Sequence, residues 1–118
     1  MVNRLSVYSL VLLCFCGAAS AGNALPKDVA LFVEQREACD HWRGEYGYDG
    51  DRQADIDQAV CQSCVGTDDK LAKLKRKYQG RKEILNKLDA FEDDIEPEDT
   101  SKTAAFCQKV SRQHAPKQ

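Results

Sequence analysis

The stretch from Glu37 to Tyr78 constrains this 118-residue chain more than any other. It carries Cys39, Cys61, Cys64, the only Trp (Trp42), His41, and a helix-start signal at Gly66-Thr67-Asp68. By helical periodicity it reads as two helices joined by a short loop, with a third helix beginning just after Cys64. A disulfide tolerates only a narrow range of Cα separations, so cysteines on neighbouring helices restrict how those helices can pack.

The N-terminus decides which cysteines take part. Asn3 and Arg4 form a short, weakly cationic start. Leu5 to Cys16 is apolar apart from Ser6, Tyr8 and Ser9, and Ala19-Ser20-Ala21 fits an A-x-A cleavage site. The pattern is that of a secretory signal peptide over 1–21, cleaved after Ala21, with Ala24 as the second choice. The apolar run falls short of the ~20 residues of a membrane-spanning helix. Leu13 and Phe15 precede Cys14 and Cys16, where lipid attachment needs a small residue. Residues 22–118 are then expected to form one helical domain with a frayed C-terminal tail, periplasmic or secreted, and not inserted in a membrane. Cys39, Cys61, Cys64 and Cys107 remain. An even number in a short exported chain reads as disulfides.

Without Arg4 the domain has 16 basic residues, one fewer than the 17 of the whole chain, against 19 acidic ones, a net charge of −3. Nucleic acid is therefore not an expected partner, since such binders carry positive fields.

The expected fold is an all-α, disulfide-stapled bundle of about four helices plus a short C-terminal helical segment. The first helix spans Leu25 to Gly44, with Pro26 and Asp28 in its first turn. Val29, Phe32, Cys39 and Trp42 share its inner face, flanked by Val33 and Arg36. Tyr46 and Tyr48, in the loop to Asp51, are expected to fold back onto the domain. Asp49 or Asp51 caps a second helix from Arg52 to Cys64, buried through Ile56, Ala59, Val60 and Ser63. Thr67 caps the third, with Leu71, Leu74 and Tyr78 inward, and Gly80 breaks it. The fourth runs from Arg81 to Asp94, with Ile84, Leu85, Leu88, Phe91 and Ile95 inward. A short fifth helix, Lys102 to Arg112, is capped by Thr100 or Ser101 and buries Ala105, Phe106 and Val110.

On these faces Cys39 lies inward and Cys64 lies at the edge of the second helix's buried stripe. Cys39–Cys64 with Cys61–Cys107 is the pairing the faces favour. Cys39–Cys61 and a bridge inside Cys61-Gln62-Ser63-Cys64 stay open. The Cys61/Cys64 spacing also suggests a redox dithiol or a zinc site completed by Cys39 and His41 or Cys107. A reactive thiolate is favoured at a helix N-terminus, and this pair stands at a C-terminus. A second C-x-x-C or spaced histidine pair for zinc is missing. No metal or cofactor is expected.

His41 has no motif-paired nucleophile and reads as a surface residue. Trp42 reads as core against the disulfide, and Arg43 as a bracket to Glu45 or Asp49. Asp49, Asp51, Asp55 and Asp57 miss the calcium-loop pattern, which needs Gly sixth and Glu twelfth where Ala54 and Val60 stand. Two charge blocks remain, a basic one over Lys70–Lys82 and an acidic one over Asp89–Asp99. They pair with each other or dock a partner, and Lys73, Arg76, Lys77 and Arg81 are the candidate partner-binding residues. No catalytic set emerges.

Glu37-Ala38-Cys39-Asp40-His41-Trp42-Arg43-Gly44-Glu45, then Cys64-Val65-Gly66-Thr67-Asp68 and Leu71-Ala72-x-Leu74-Lys75-x-Lys77-Tyr78, resembles a group of short exported proteobacterial proteins with no assigned function. The resemblance covers most of Val29 to Glu92. It implies that the cysteine before the x-Gly-Thr-Asp element, Cys64, partners Cys39, with Cys61 and Cys107 as an additional pair. The two cysteines followed by Leu71, Ala72, Leu74 and Tyr78 are also similar to the N-terminal module of LprI-type lysozyme inhibitors, small helical exported proteins. This chain departs from that family in a longer Cys39-to-Cys64 gap and in Lys75, where the family tends to carry Asp. Together these features point to a non-enzymatic binding protein of the envelope with a protein partner such as a lysozyme. The alternative is a thiol-redox or metal-handling protein using Cys61 and Cys64.

Overall fold

The computed structural model describes residues 24–116, and the expected signal peptide lies outside them. Five helices follow in order: α1 Lys27–Arg43, α2 Gly50–Cys64, α3 Thr67–Lys77, α4 Lys82–Leu88 and α5 Thr100–Gln113. No strand occurs among the described residues. The protein is an all-helical bundle stapled by two disulfides, Cys39–Cys64 and Cys61–Cys107.

Helix starts follow from local chemistry. Pro26 precedes α1 and its carbonyl accepts the first helical bond, from Ala30. Proline donates no N–H and its φ already suits a helix start. Asp49 caps α2 by accepting from the Arg52 N–H at 2.8 Å. Asp99, rather than Thr100 or Ser101, caps α5, accepting from the Ser101 N–H at 3.0 Å.

The apolar core lies where the first half of α1 meets α3 and α4. Val29, Phe32 and Val33 pack there with Leu71, Leu74, Ile84 and Leu88, and Leu25, Tyr78 and Phe91 close its edges. Phe32 and Phe91 meet edge to face. The second half of α1 runs beside α2, and α5 packs on α2.

Arg36 organises the joint between these regions. It lies on the same stripe as Val29, Phe32 and Val33 and is fully buried, where a flanking position was expected. A charge in that position requires partners on every donor. Its guanidinium reaches Asp40 on α1 at 3.3 Å, Thr67 Oγ1 at 3.4 Å and Asp68 at 3.3 Å on α3, and the Glu92 carbonyl at 2.6 Å. Asp68 in turn accepts from the backbone N–H groups of Ile95 and Glu96 at 2.9 and 2.7 Å. The Glu96 carboxylate returns the contact, accepting from the Gly66 and Asp68 N–H groups at 2.9 and 3.0 Å.

This double clasp corrects two expectations. Thr67 does not cap α3 but is its first residue, and its hydroxyl donates to the Cys64 carbonyl at 2.8 Å. The free N–H groups of α3 are satisfied instead by Glu96, from 28 and 30 residues away. Gly66 turns the chain between α2 and α3 at φ +80°, a region that disfavours side chains.

The second correction concerns α4, which ends at Leu88 rather than Asp94. Asp89, Glu92, Asp93 and Asp94 would crowd the negative end of a longer helix. Lys75 draws Asp89 and Asp93 to itself at 2.9 and 2.6 Å, and Arg36 takes the Glu92 carbonyl. Residues 89–99 therefore form a strap across α1 and α3 instead of a helix.

Candidate partner-binding surface

The cysteines are the first of the expected site residues. Cys39 and Cys64 are 0% and 8% exposed, buried between α1 and α2. Cys61 and Cys107 are half-buried at the seam of α2 and α5. Cys61 and Cys64 thus belong to different bridges, and their C-x-x-C spacing holds no dithiol pair. Among the described residues no group of three or more His, Cys, Asp or Glu is placed to hold a metal ion.

The basic surface expected on α3 is partly spent inside the molecule. Lys73 pairs with Asp69 at 2.7 Å, one turn earlier. Lys77 pairs with Asp28 of α1 at 2.6 Å, and the Tyr78 hydroxyl donates to the same carboxylate at 2.7 Å. These contacts, the Lys77 bond first and the Tyr78 bond second, hold the Asp28 carboxyl below its ordinary range. Lys77 is correspondingly raised by Asp28. Lys75 is raised by Asp93 and then Asp89, so the basic and acidic blocks do pair at this residue. Arg76 and Arg81 are exposed. Lys73, Arg76 and Lys77 lie on one face by their spacing of three and four.

Residues near the α1–α2 loop depart further from expectation. Trp42 is half-buried rather than core. Arg52 lies over its ring at 5.3 Å, and His41 meets its edge. Arg43 brackets no loop residue: it pairs with Asp40 at 2.9 Å and with Glu92 on the strap at 3.3 Å. At α5, Ala105 and Phe106 stay exposed and only Val110 is buried.

The loop itself carries the largest correction. Tyr46 and Tyr48 do not fold back; they are 89% and 86% exposed. The loop is nevertheless held at three points. The Glu45 N–H donates to the Trp42 carbonyl at 3.1 Å. The Gly47 N–H donates to Gln53 Oε1 at 3.1 Å, and Gln53 is braced by Asp57. Asp49 is tied into the α2 cap. Gly47 sits so close to α2 that a Cβ would come within 2.7 Å of the Gln53 backbone. The residues on either side are thereby kept off the helix, and both rings stand in solvent. Acidic residues flank them in the chain, Glu45, Asp49, Asp51 and Asp55, while Arg52 lies over the Trp42 ring. The Tyr-Gly-Tyr pattern was the available signal. A glycine between two aromatics is where a backbone can press against its neighbour and turn the flanking rings away.

Compared with family models, curated proteins and solved structures, the chain matches none.

Proposed function

We propose that this chain is a non-enzymatic helical binding protein that works in the periplasm or after secretion. It docks a protein partner through loop 45–49, and a lysozyme is the first partner to test. The observation that carries this reading is the pair of tyrosines held almost wholly in solvent on an anchored loop. Tyrosine brings a large contact area with few torsions to freeze, which is why it concentrates in binding hot spots. The carboxylates that flank these tyrosines in the chain favour a partner with a basic contact surface. Two intramolecular disulfides suit an oxidising compartment. The resemblance to lysozyme inhibitors supports the choice of partner. Lys73, Arg76 and Lys77 on α3, with Arg81 just before α4, form the second candidate contact.

The test uses the purified oxidised protein in a lysozyme-activity assay and in calorimetry. The Tyr46→Ser/Tyr48→Ser variant is expected to weaken binding by roughly a hundredfold or more, two hot-spot residues being lost. The Arg76→Glu/Arg81→Glu variant should change it far less. Reversal of that order moves the contact to α3. No inhibition and no binding at excess protein removes lysozyme as the partner.

A further inference from the structure

The two bridges differ in what surrounds them. Cys39–Cys64 lies between α1 and α2 with both residues buried, Cys39 fully and Cys64 at 8% exposure where it touches the floor of a groove shared with Cys61 and Cys107. Cys61–Cys107 lies between two open grooves, one lined by Gln58, Gln62 and Val110, the other by Val60, Val65 and Phe106. Cys107 also borders a third hollow, beside Ala104 and Arg112. Thiol–disulfide exchange proceeds by attack of a thiolate on one sulfur, so access to that sulfur sets which bridge reacts.

The bridges also fasten different things. Cys39–Cys64 joins helices that share further contacts, including the Gln35 side chain donating to the Ser63 carbonyl at 3.0 Å. Cys61–Cys107 joins α2 to α5, which buries only Val110. Phe106, one residue from the bridge, stays 47% exposed. A helix of 14 residues is marginal in water without tertiary support. The bridge is therefore the main restraint on α5.

We propose that Cys61–Cys107 is a thiol-exchange site, a latch that an external dithiol opens while Cys39–Cys64 stays closed. One thiolate of the dithiol attacks Cys107 Sγ, and the Cys61 sulfur leaves as a thiolate. The second thiol of the reagent then attacks its own mixed-disulfide sulfur and releases Cys107. The reagent ends as a cyclic disulfide, oxidised by two electrons. The bridge is reduced by two electrons, and the reagent's two protons end on Cys61 and Cys107. Opening frees α5, exposes its own Val110 and uncovers the α2 surface at Val60 against which it packs. The partner class is a dithiol reductant, a small molecule or a protein with a paired-thiol site.

The oxidised protein is treated with limiting dithiothreitol under native conditions, quenched with iodoacetamide and mapped by mass spectrometry. Cys61 and Cys107 should be alkylated at least about tenfold faster than Cys39 and Cys64, because a buried bridge reacts only through local opening. Trypsin should then cut at Lys102, Lys109 and Arg112 in the partly reduced protein and spare α1 to α3. Equal rates at the two bridges, earlier alkylation of Cys39, or an α5 as resistant after reduction as before would each overturn the proposal. The Cys61→Ser/Cys107→Ser variant supplies an independent measurement. It should keep the Cys39–Cys64 bridge and show unprotected amides in α5 alone, and full protection of α5 there would also overturn the latch.

Discussion

The half of the bundle around α3 and α4 and the half around α2 and α5 are held by different means. In the first, seven apolar side chains from three helices close on one another. In the second, α2 buries only Ile56, Ser63 and Cys64, and α5 buries only Val110. Both disulfides fall in that second half. Where side chains supply little apolar surface, restraint of the unfolded chain takes over part of the work. A small chain can thus afford one well-packed side and one stapled side, and its exposed tyrosines and reactive bridge sit on the stapled one.

Removing the Cys39–Cys64 bridge is the sharpest way to break this contrast. The Cys39→Ala/Cys64→Ala variant should lose about 3.5 kcal/mol for a loop of 25 residues, in urea unfolding of the otherwise oxidised protein. A loss under about 1 kcal/mol would mean that packing alone holds α2. Leu71→Ala tests the other half. Leu71 is fully buried at the centre of the apolar cluster, and its truncation should cost about 3 kcal/mol in the same assay. The clasp between the halves comes next. Glu96→Ala should cost about 1 kcal/mol, as loss of a helix cap does, and should speed amide exchange at Gly66 and Asp68 selectively. Unchanged exchange at those two amides would remove the capping role.

The smallest effect is electrostatic. Asp28 is depressed in the folded protein by Lys77 and Tyr78, so its contribution is present above the unfolded carboxylate value, about 3.9. It is lost as pH falls through the lower folded value. The group is only partly buried and the effect is screened by salt. Asp28→Asn should therefore flatten the acid limb of a pH–stability curve slightly, and more at low salt than at high salt. An acid limb identical to wild type at low salt would show that the pair contributes nothing.

The all-helical fold was legible because its signals are local. Val29 and Phe32, or Leu71 and Leu74, recur at helical spacing, and Asp49 and Gly66 punctuate where they must. The facing of Cys39 and Cys64 follows from the same periodicity, since both lie on buried sides of their helices. What escaped reading depends on residues far apart in the chain. The strap is not a helix because Lys75 and Arg36 capture Asp89, Asp93 and the Glu92 carbonyl, partners 14 to 56 residues distant. Glu96 as the cap of α3 has no sequence signature at all. Arg36 did carry one, a charge at the i+3, i+4 and i+7 positions from Val33, Phe32 and Val29, but an isolated arginine on an apolar stripe more often snorkels to solvent. The outward tyrosines were misread because aromatic residues beside a core usually cover it, and only the close approach of Gly47 to Gln53 turns them away.

The reach of Arg36 also sets an order in time. Its farthest partner, the Glu92 carbonyl, lies 56 residues downstream. Asp68 finds its own partners only when Ile95 and Glu96 exist. A chain made from its N-terminus cannot complete the packed half until residue 96 has emerged, because the buried guanidinium and the start of α3 stay unsatisfied until then. α5 contributes nothing to that closure. The packed half therefore closes with the strap, and the final helix is added afterwards, against α2.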